Sequence, residues 1–242
     1  MPAAATQLVF TSAVQSITAN DDFVTTWTIQ RQDSVGNPNT TDANLTVHLS
    51  SSSVGTGYWG NWPYSYSFAP ANDSPGSPNI VAGAPYWPNS GGPTTMIIPR
   101  GQSDLIFSYC DQRAGLPTLT VSATGKTSAT QGVAVNTSPA DHLAVTSPPV
   151  VSGGLSYAAV VAVGATSTLI TITRQDSEFN PIAVEAPRTI TLSCDSGTAT
   201  FVPASLTITP PATSASFTYS DTTPGAHIIT ASSTSPFPIT SA

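Results

Sequence analysis

Three blocks of this 242-residue sequence occur twice, in the same order. Gln7-Leu8-Val9-Phe10-Thr11-Ser12 is echoed by His142-Leu143-Ala144-Val145-Thr146-Ser147. Arg31-Gln32-Asp33-Ser34-Val35-Gly36-Asn37-Pro38 recurs as Arg174-Gln175-Asp176-Ser177-Glu178-Phe179-Asn180-Pro181. Phe107-Ser108-Tyr109-Cys110-Asp111 recurs as Phe217-Thr218-Tyr219-Ser220-Asp221, and a glycine follows in each copy (Gly115, Gly225). Matched blocks in a fixed order mean a duplicated folding unit. The joint falls near 136–140, where Asn-Thr-Ser-Pro-Ala reads as a linker. The units are therefore expected at 1–137 and 138–242.

Each unit reads as strands. Apolar residues alternate with polar ones at Phe23, Trp27 and Ile29, at Leu45, Val47 and Leu49, at Leu105, Phe107 and Tyr109, and at Leu119 and Val121. The second unit repeats the pattern at Ile170 and Ile172, Ile190 and Leu192, Phe217 and Tyr219, and Ile229. Period-two alternation of β-branched and aromatic residues, broken by Gly, Pro, Asn and Asp, marks half-buried strands. The apolar run 158–163 is read as a further strand. No helical period is visible. Several short strands in each ~100 residues point to an all-β chain of two tandem β-sandwiches.

The Asp-x-x-Gly-Asn-Pro stretch has a turn's chemistry. Asp33 can accept hydrogen bonds from amides two or three residues on, Gly36 and Asn37 tolerate positive φ, and Pro38 fixes the exit. In the second unit Glu178-Phe179 replaces Val35-Gly36, and a wider turn is expected there. Asp33, Asn37 and Asp42 are weak candidates for a calcium site, since they lack the dense oxygen spacing of a dedicated calcium loop.

Strand, Gln-Asp-x-x-Gly-Asn-Pro, Leu-Thr-Val-x-Leu-Ser-Ser, Phe-x-Tyr-x-Asp-x-x-x-Gly and Leu-Thr-Val-Ser-Ala together resemble the bacterial immunoglobulin-like repeats. Such repeats occur in invasin- and intimin-type adhesins, giant cell-surface proteins and phage structural proteins. The resemblance covers almost the whole chain outside 58–95 and implies two immunoglobulin-like sandwiches. Its motifs are structural, so it implies a fold and no activity.

The spacing between repeats is unequal. The Arg31 block recurs at an offset of 143, the Phe107 block at 110, so the first unit carries a net 33-residue insertion, placed at about 58–95. It holds Tyr58, Trp59, Trp62, Tyr64, Tyr66, Phe68, Tyr86 and Trp87, including three of the four tryptophans. A loop this long is functional or disordered, and its aromatic density argues against disorder. These eight residues are the candidate contact site. Tyr and Trp are favoured anchors at protein interfaces, exposed rings also suit a glycan, and the third reading is a lid packed on its own domain.

Composition removes several function classes. Only 8% of residues are charged, Lys126 is the only lysine, and the net charge is −7. A nucleic-acid surface needs clustered Lys and Arg, so no nucleic-acid partner is expected. No apolar run approaches the ~20 residues of a membrane span, and no membrane insertion is expected. His48, His142 and His227 fall in separate strand-like segments without metal or triad spacing, and no phosphate-cradling or nucleophile-elbow motif occurs. No cofactor and no enzyme activity are expected. Cys110 and Cys194 fall in different units; Cys194 is read as a buried thiol and no intrachain disulfide is expected.

The first seven residues have no basic start and no apolar segment, so no secretory leader is expected. Met1 is read as a native start, with a piece of a longer secreted protein as the alternative. The expected role is a structural protein on the exterior of a virion, a decoration, cement or fibre-type subunit. The alternatives are part of a bacterial surface adhesin or surface-layer protein, and a glycan-binding module. The partners implied are proteins of a larger assembly such as a capsid or surface layer, a second copy of the chain through its last strand, or a glycan.

Overall fold

The structure is a computed structural model and describes residues 3–19, 25–53, 57–61, 94–147, 149–152 and 155–233. The chain divides into two compact units, 1–136 and 137–242. Among the described residues all regular structure is strand.

Unit 1 contains β1 (Gln7–Phe10), β2 (Gln15–Thr18), β3 (Thr26–Gln32), β4 (Leu45–Ser51), β5 (Gly57–Asn61), β6 (Thr94–Ile98), β7 (Asp104–Asp111), β8 (Thr118–Ser122) and β9 (Ala129–Asn136). They form two sheets, β1-β3-β7-β5 and β2-β9-β8-β4-β6. The strand ladders described are antiparallel except β2 with β9, and an isolated parallel bridge joins Gln7 to Thr127. Unit 2 contains β10 (His142–Val145), β11 (Val150–Ser152), β12 (Leu155–Tyr157), β13 (Ile170–Gln175), β14 (Arg188–Cys194), β15 (Thr200–Val202), β16 (Ser205–Ile208), β17 (Ser214–Ser220) and β18 (Ile229–Ser232). Its sheets are β10-β13-β17-β15 and β16-β14-β18, with β11 and β12 as a separate hairpin. The all-β, tandem-sandwich architecture is thus what the alternation demands.

The alternating residues build the cores. Trp27, Ile29, Val47, Leu49, Phe107, Leu119 and Val121 are fully buried in unit 1; Ile190 and Phe217 are fully buried in unit 2, with Ile170 and Ile172 nearly so. Burying each such side chain contributes about 1.5–3 kcal/mol. Two readings need correction. Residues 158–163 are not a strand; Val160 and Val163 are about half exposed, and the segment is irregular. Cys194 is half buried at the end of β14, while Cys110 is buried in β7.

One end of each sandwich is closed by a buried arginine. Arg31 shares the inward face of β3 with Trp27 and Ile29, by simple two-residue parity. Its guanidinium donates to five backbone carbonyls: Asn39, Asp42, Ala43, Pro99 and Gln102, at 2.7 to 3.4 Å. Those carbonyls lead into β4 and join β6 to β7, so one side chain ties both sheets. Arg174 repeats this with the carbonyls of Ile182, Ala186 and Ala212 at 2.8 to 3.2 Å. Glu185 adds a carboxylate 3.6 Å from Arg174 and 2.9 Å from Arg188.

The Asp turns beside these arginines are alike in both units. Asp33 N–H donates to the Asn37 carbonyl (2.9 Å) and Gly36 N–H to the Asp33 carbonyl (3.2 Å). Asp176 N–H donates to Asn180 (3.1 Å) and Phe179 N–H to Asp176 (3.1 Å). The second turn is therefore not wider. Phe179 takes the left-handed conformation that Gly36 takes in the first, φ 63° against 91°, at a steric cost of about 1–2 kcal/mol for a side chain. Its exposed ring meets the edge of His142 at 5.1 Å.

Two expectations follow. Arg31→Met should lower the stability of unit 1 by about 3–5 kcal/mol, because five buried carbonyls lose their donors together. All four tryptophans lie in unit 1, so tryptophan fluorescence during urea unfolding reads that unit alone. Phe179→Gly should stabilise unit 2 by about 0.5–1 kcal/mol through relief of the left-handed backbone; a lower calorimetric midpoint for unit 2 would contradict this.

Candidate functional site

The insertion sits between two edge strands. β5 is the last strand of one sheet and β6 the last strand of the other. Residues 62–93, thirty-two in all, connect them, whereas the equivalent strands β15 and β16 are joined by Pro203 and Ala204 alone. The placement at 58–95 is thus trimmed at both ends. Gly57–Asn61 pairs with β7 from Gly57 opposite Asp111 to Asn61 opposite Phe107. Thr94–Ile98 pairs with β4.

Trp59 is removed from the contact site by this placement. It is 3% exposed, with its ring centroid 4.9 Å from Tyr109 and 5.6 Å from Phe107. It is a core residue and offers no surface. Its counterpart in unit 2 is Phe201, packed on Phe217 and Tyr219 at 5.8 and 5.9 Å. The signal was present in the sequence: Trp59 and Phe201 are 142 residues apart, close to the Arg31 offset of 143. Tyr58 lies in β5 opposite Cys110. Trp62, Tyr64, Tyr66, Phe68, Tyr86 and Trp87 lie outside the described residues.

A polar clasp ties the end of β7, the strand that pairs with β5, to the end of β4. The Tyr109 hydroxyl donates to Asp111 Oδ2 at 2.5 Å and lies 2.9 Å from Ser51 Oγ in the opposite sheet. Asp111 Oδ1 accepts the Arg113 N–H at 2.9 Å. Burial, then the adjacent Asp111, pushes the Tyr109 phenol well above its ordinary range. In unit 2 the Tyr219 hydroxyl donates to Asp221 Oδ2 at 2.8 Å, and burial with Asp221 raises its pKa likewise. Hydroxyls of Ser196 and Thr198 hold Asp221 far below the usual carboxylate range. This explains the repeated Phe-x-Tyr-x-Asp: the pair turns the strand end inward.

Of the weak metal candidates, Asp33 and Asn37 bond to each other, while Asp42 binds elsewhere. Asp33 accepts N–H groups from Val35 (3.0 Å) and Asn37 (2.9 Å), and Asn37 Nδ2 at 3.0 Å; these bonds, Asn37 first, hold its pKa down. Asp42 Oδ2 accepts the Ala5 N–H at 2.9 Å. A carboxylate ringed by N–H donors is a turn anchor, since the donors repel a cation. Among the described residues no group of three His, Cys, Asp or Glu side chains converges.

Folding brings His227 an acidic neighbour distant in sequence, while His142 meets the carboxylate that precedes it in the chain. His227 Nδ1 lies 3.4 Å from Asp195, thirty-two residues away, and His142 Nδ1 lies 3.1 Å from Asp141. Their other ring nitrogens meet the Thr223 carbonyl at 3.2 Å and Gln175 Oε1 at 3.1 Å. Neither nitrogen faces a hydroxyl or thiol nucleophile. His48 Nδ1 is 3.3 Å from Thr95 Oγ1 across the β4–β6 pair.

No protein-family model matches the chain, and no curated protein matches it. Similarities to solved structures exist. The D00–D0 domains of intimin align over 93% of this chain and 90% of theirs, at 14% identity and a TM-score of 0.36. The adhesin InvE of Yersinia pseudotuberculosis aligns over 96% and 56%, at 17% identity and 0.32. A β-glycosidase from Bacteroides vulgatus aligns over 55% of this chain and 14% of its own length, at 19% identity and 0.36. At TM-scores this low the sandwich rests on its own sheets.

The clasps carry a pH signature. In the unfolded chain a tyrosine titrates near pH ~10. The raised folded values mean that the stability from Tyr109 and Tyr219 is complete below that pH and is lost as pH rises through them. Tyr109→Phe with Tyr219→Phe should flatten the fall in urea midpoint above about pH 10. Asp33 and Asp221 act in the opposite sense. Their depressed values give stability that is present above pH ~3.9 and lost as pH falls toward the folded values, so Asp221→Asn should flatten the acid limb of unit 2.

Proposed function

We propose that this chain is a non-catalytic structural protein displayed on an exterior surface, a virion decoration, cement or fibre-type subunit, which acts by protein–protein contact through residues 62–93. One observation carries the reading. The two units share a four-stranded sheet, arginine hubs and Tyr–Asp clasps, yet unit 1 spends thirty-two residues where unit 2 uses two. That segment is rich in Trp and Tyr, which favour interface hot spots. It issues from edge strands, where added chain breaks no ladder inside the sandwich. Unit 2 then serves as a spacer.

The tryptophans separate scaffold from contact. Trp59→Ala should destabilise unit 1 by about 3–5 kcal/mol. Trp62→Ala with Trp87→Ala should leave both unfolding transitions in place and lower retention on purified particles by ~10-fold or more, as loss of hot-spot residues does. Immunogold labelling of particles and cells from the source culture decides the location. Label confined to cell envelopes would overturn the virion reading in favour of a bacterial adhesin or surface-layer protein. Saturable quenching of tryptophan fluorescence by a polysaccharide, abolished in the double variant, would favour the glycan module.

A further inference from the structure

The duplicated turns at Asp33 and Asp176 share their hydrogen bonds and differ in what they present. Unit 1 has Val35-Gly36 at the tip and Gln7 on the neighbouring strand; unit 2 has Glu178-Phe179 and His142. Phe179 takes a left-handed backbone, φ 63°, which its counterpart Gly36 adopts without steric cost. A strained residue persists where its surroundings over-determine it, and these do. The Phe179 N–H donates to the Asp176 carbonyl at 3.1 Å, and the Phe179 carbonyl accepts Gln175 Nε2 at 3.1 Å. Gln175 Oε1 in turn meets His142 Nε2 at 3.1 Å, and the His142 ring stands edge-on to the phenyl at 5.1 Å. With all this support the phenyl ring is still 69% exposed, so burial does not offset the strain.

The charge around the ring is one-sided. Glu178 adjoins Phe179 in the chain, and Asp141, half exposed, lies 3.1 Å from His142. The only Lys or Arg residues in 137–242 are Arg174 and Arg188, and both are fully buried. Unit 2 therefore sets no lysine or arginine at its surface to neutralise these carboxylates. A pre-organised, exposed ring beside uncompensated carboxylates fits a surface that offers a cation next to an apolar side chain.

Unit 1 carries such a surface. Its basic residues are Arg31, Arg100, Arg113 and Lys126. Arg31 is buried, and Lys126 Nζ donates to the Ala5 carbonyl. Arg100 and Arg113 are exposed, and neither makes an ion pair among the described residues. The turn around Arg100, 99–102, has no large exposed apolar side chain, whereas Arg113 shares the β7–β8 connection with Leu116, which is 84% exposed. That connection is held as firmly as the Phe179 turn. Gly115 and Val135 exchange two backbone hydrogen bonds of 2.9 Å, and the Pro117 carbonyl accepts the Val133 N–H at 3.0 Å. Surfaces held this way lose little freedom on docking.

We propose that the Glu178-Phe179 tip of one chain docks on the Arg113–Leu116 loop of a second copy. The phenyl ring meets Leu116, and the carboxylates of Glu178 and Asp141 meet Arg113. The two surfaces differ and lie on different units, so the contact is head-to-tail and either closes a ring or propagates as a filament. A turn tip on a loop buries far less than the ~1,600 Å² of a standard interface, so association is weak and rises with concentration. It uses neither residues 62–93 nor another protein, and it stands or falls independently of the contact proposed for that segment.

Sedimentation of the full-length chain over a range of concentrations tests this. The expected result is a mass that rises with concentration in low salt and drops in ~0.5 M salt, where exposed charges are screened. Phe179→Gly, which relieves the backbone and keeps unit 2 folded, should weaken association by ~10-fold or more. Glu178→Arg and Arg113→Glu should each weaken it alone and restore it when mixed, because only the mixture sets opposite charges against each other. Trp62→Ala with Trp87→Ala should associate as the unaltered chain does. A monomer at every concentration overturns the proposal. So does association that survives Phe179→Gly, a charge-reversed mixture that fails to recover, or loss of association in the tryptophan variant, which would move the self-contact to residues 62–93.

Discussion

A guanidinium with no exposed surface, held by backbone carbonyls, closes the end of each sandwich on which the other elements depend. Moving a cation from water into a protein interior costs several kcal/mol unless all its donors are met. Arg31 meets that condition with carbonyl oxygens from the segment entering β4 and from the turn joining β6 to β7. The loops must present their oxygens inward, so the arginine dictates their path as much as they stabilise it. Unit 2 solves the same problem with more charges. Arg174, Arg188 and Glu185 sit together and still sum to one net positive charge, the same as Arg31 alone. The carbonyl oxygens, common to both units, are the constant part of the design.

That pinning explains how unit 1 tolerates its long connection. Lengthening a closed loop from two residues to thirty-two costs roughly 2–3 kcal/mol of closure entropy. The strands on either side are each held without the loop: β5 by Trp59 on Tyr109 and Phe107, β6 by five residues of pairing with β4 and by the Pro99 carbonyl on Arg31. Aromatic packing of a buried Trp is worth more than that closure term. Residues 62–93 and the fold are therefore energetically separable, as the proposed contact role requires.

Much of the fold was legible because strand parity is a strong code. Trp27 and Ile29, Val47 and Leu49, and Ile170 and Ile172 face their cores as the alternation requires. The same parity extended two residues further would have placed Arg31 and Arg174 inside, but a charged residue at a strand end reads as solvated by habit. Trp59 was misplaced for a related reason. Counting rings in a stretch of sequence measures aromatic density and not depth, and only the pairing with Phe201 separates core from surface. Residues 158–163 were read from apolarity alone, although a strand also needs a ladder partner. Phe179 shows the opposite limit: the turn kept its hydrogen bonds and forced an unfavourable φ on the residue it was given.

The differences between the duplicated units fall where ladders are thin. Interior strands β3 and β7, and their counterparts β13 and β17, bond on both sides, so a change in length there breaks two sets of hydrogen bonds. Edge strands bond on one side. The insertion enters between β5 and β6, each at a sheet edge, and the irregular 158–163 segment stands where unit 1 has its edge strand β2. Duplicated sandwiches pinned at one end by arginine can diverge only along these margins. The margins are also where unpaired N–H and C=O groups make a sheet able to accept another strand. The freedom to vary and the capacity to accept a strand thus come from the same missing hydrogen bonds.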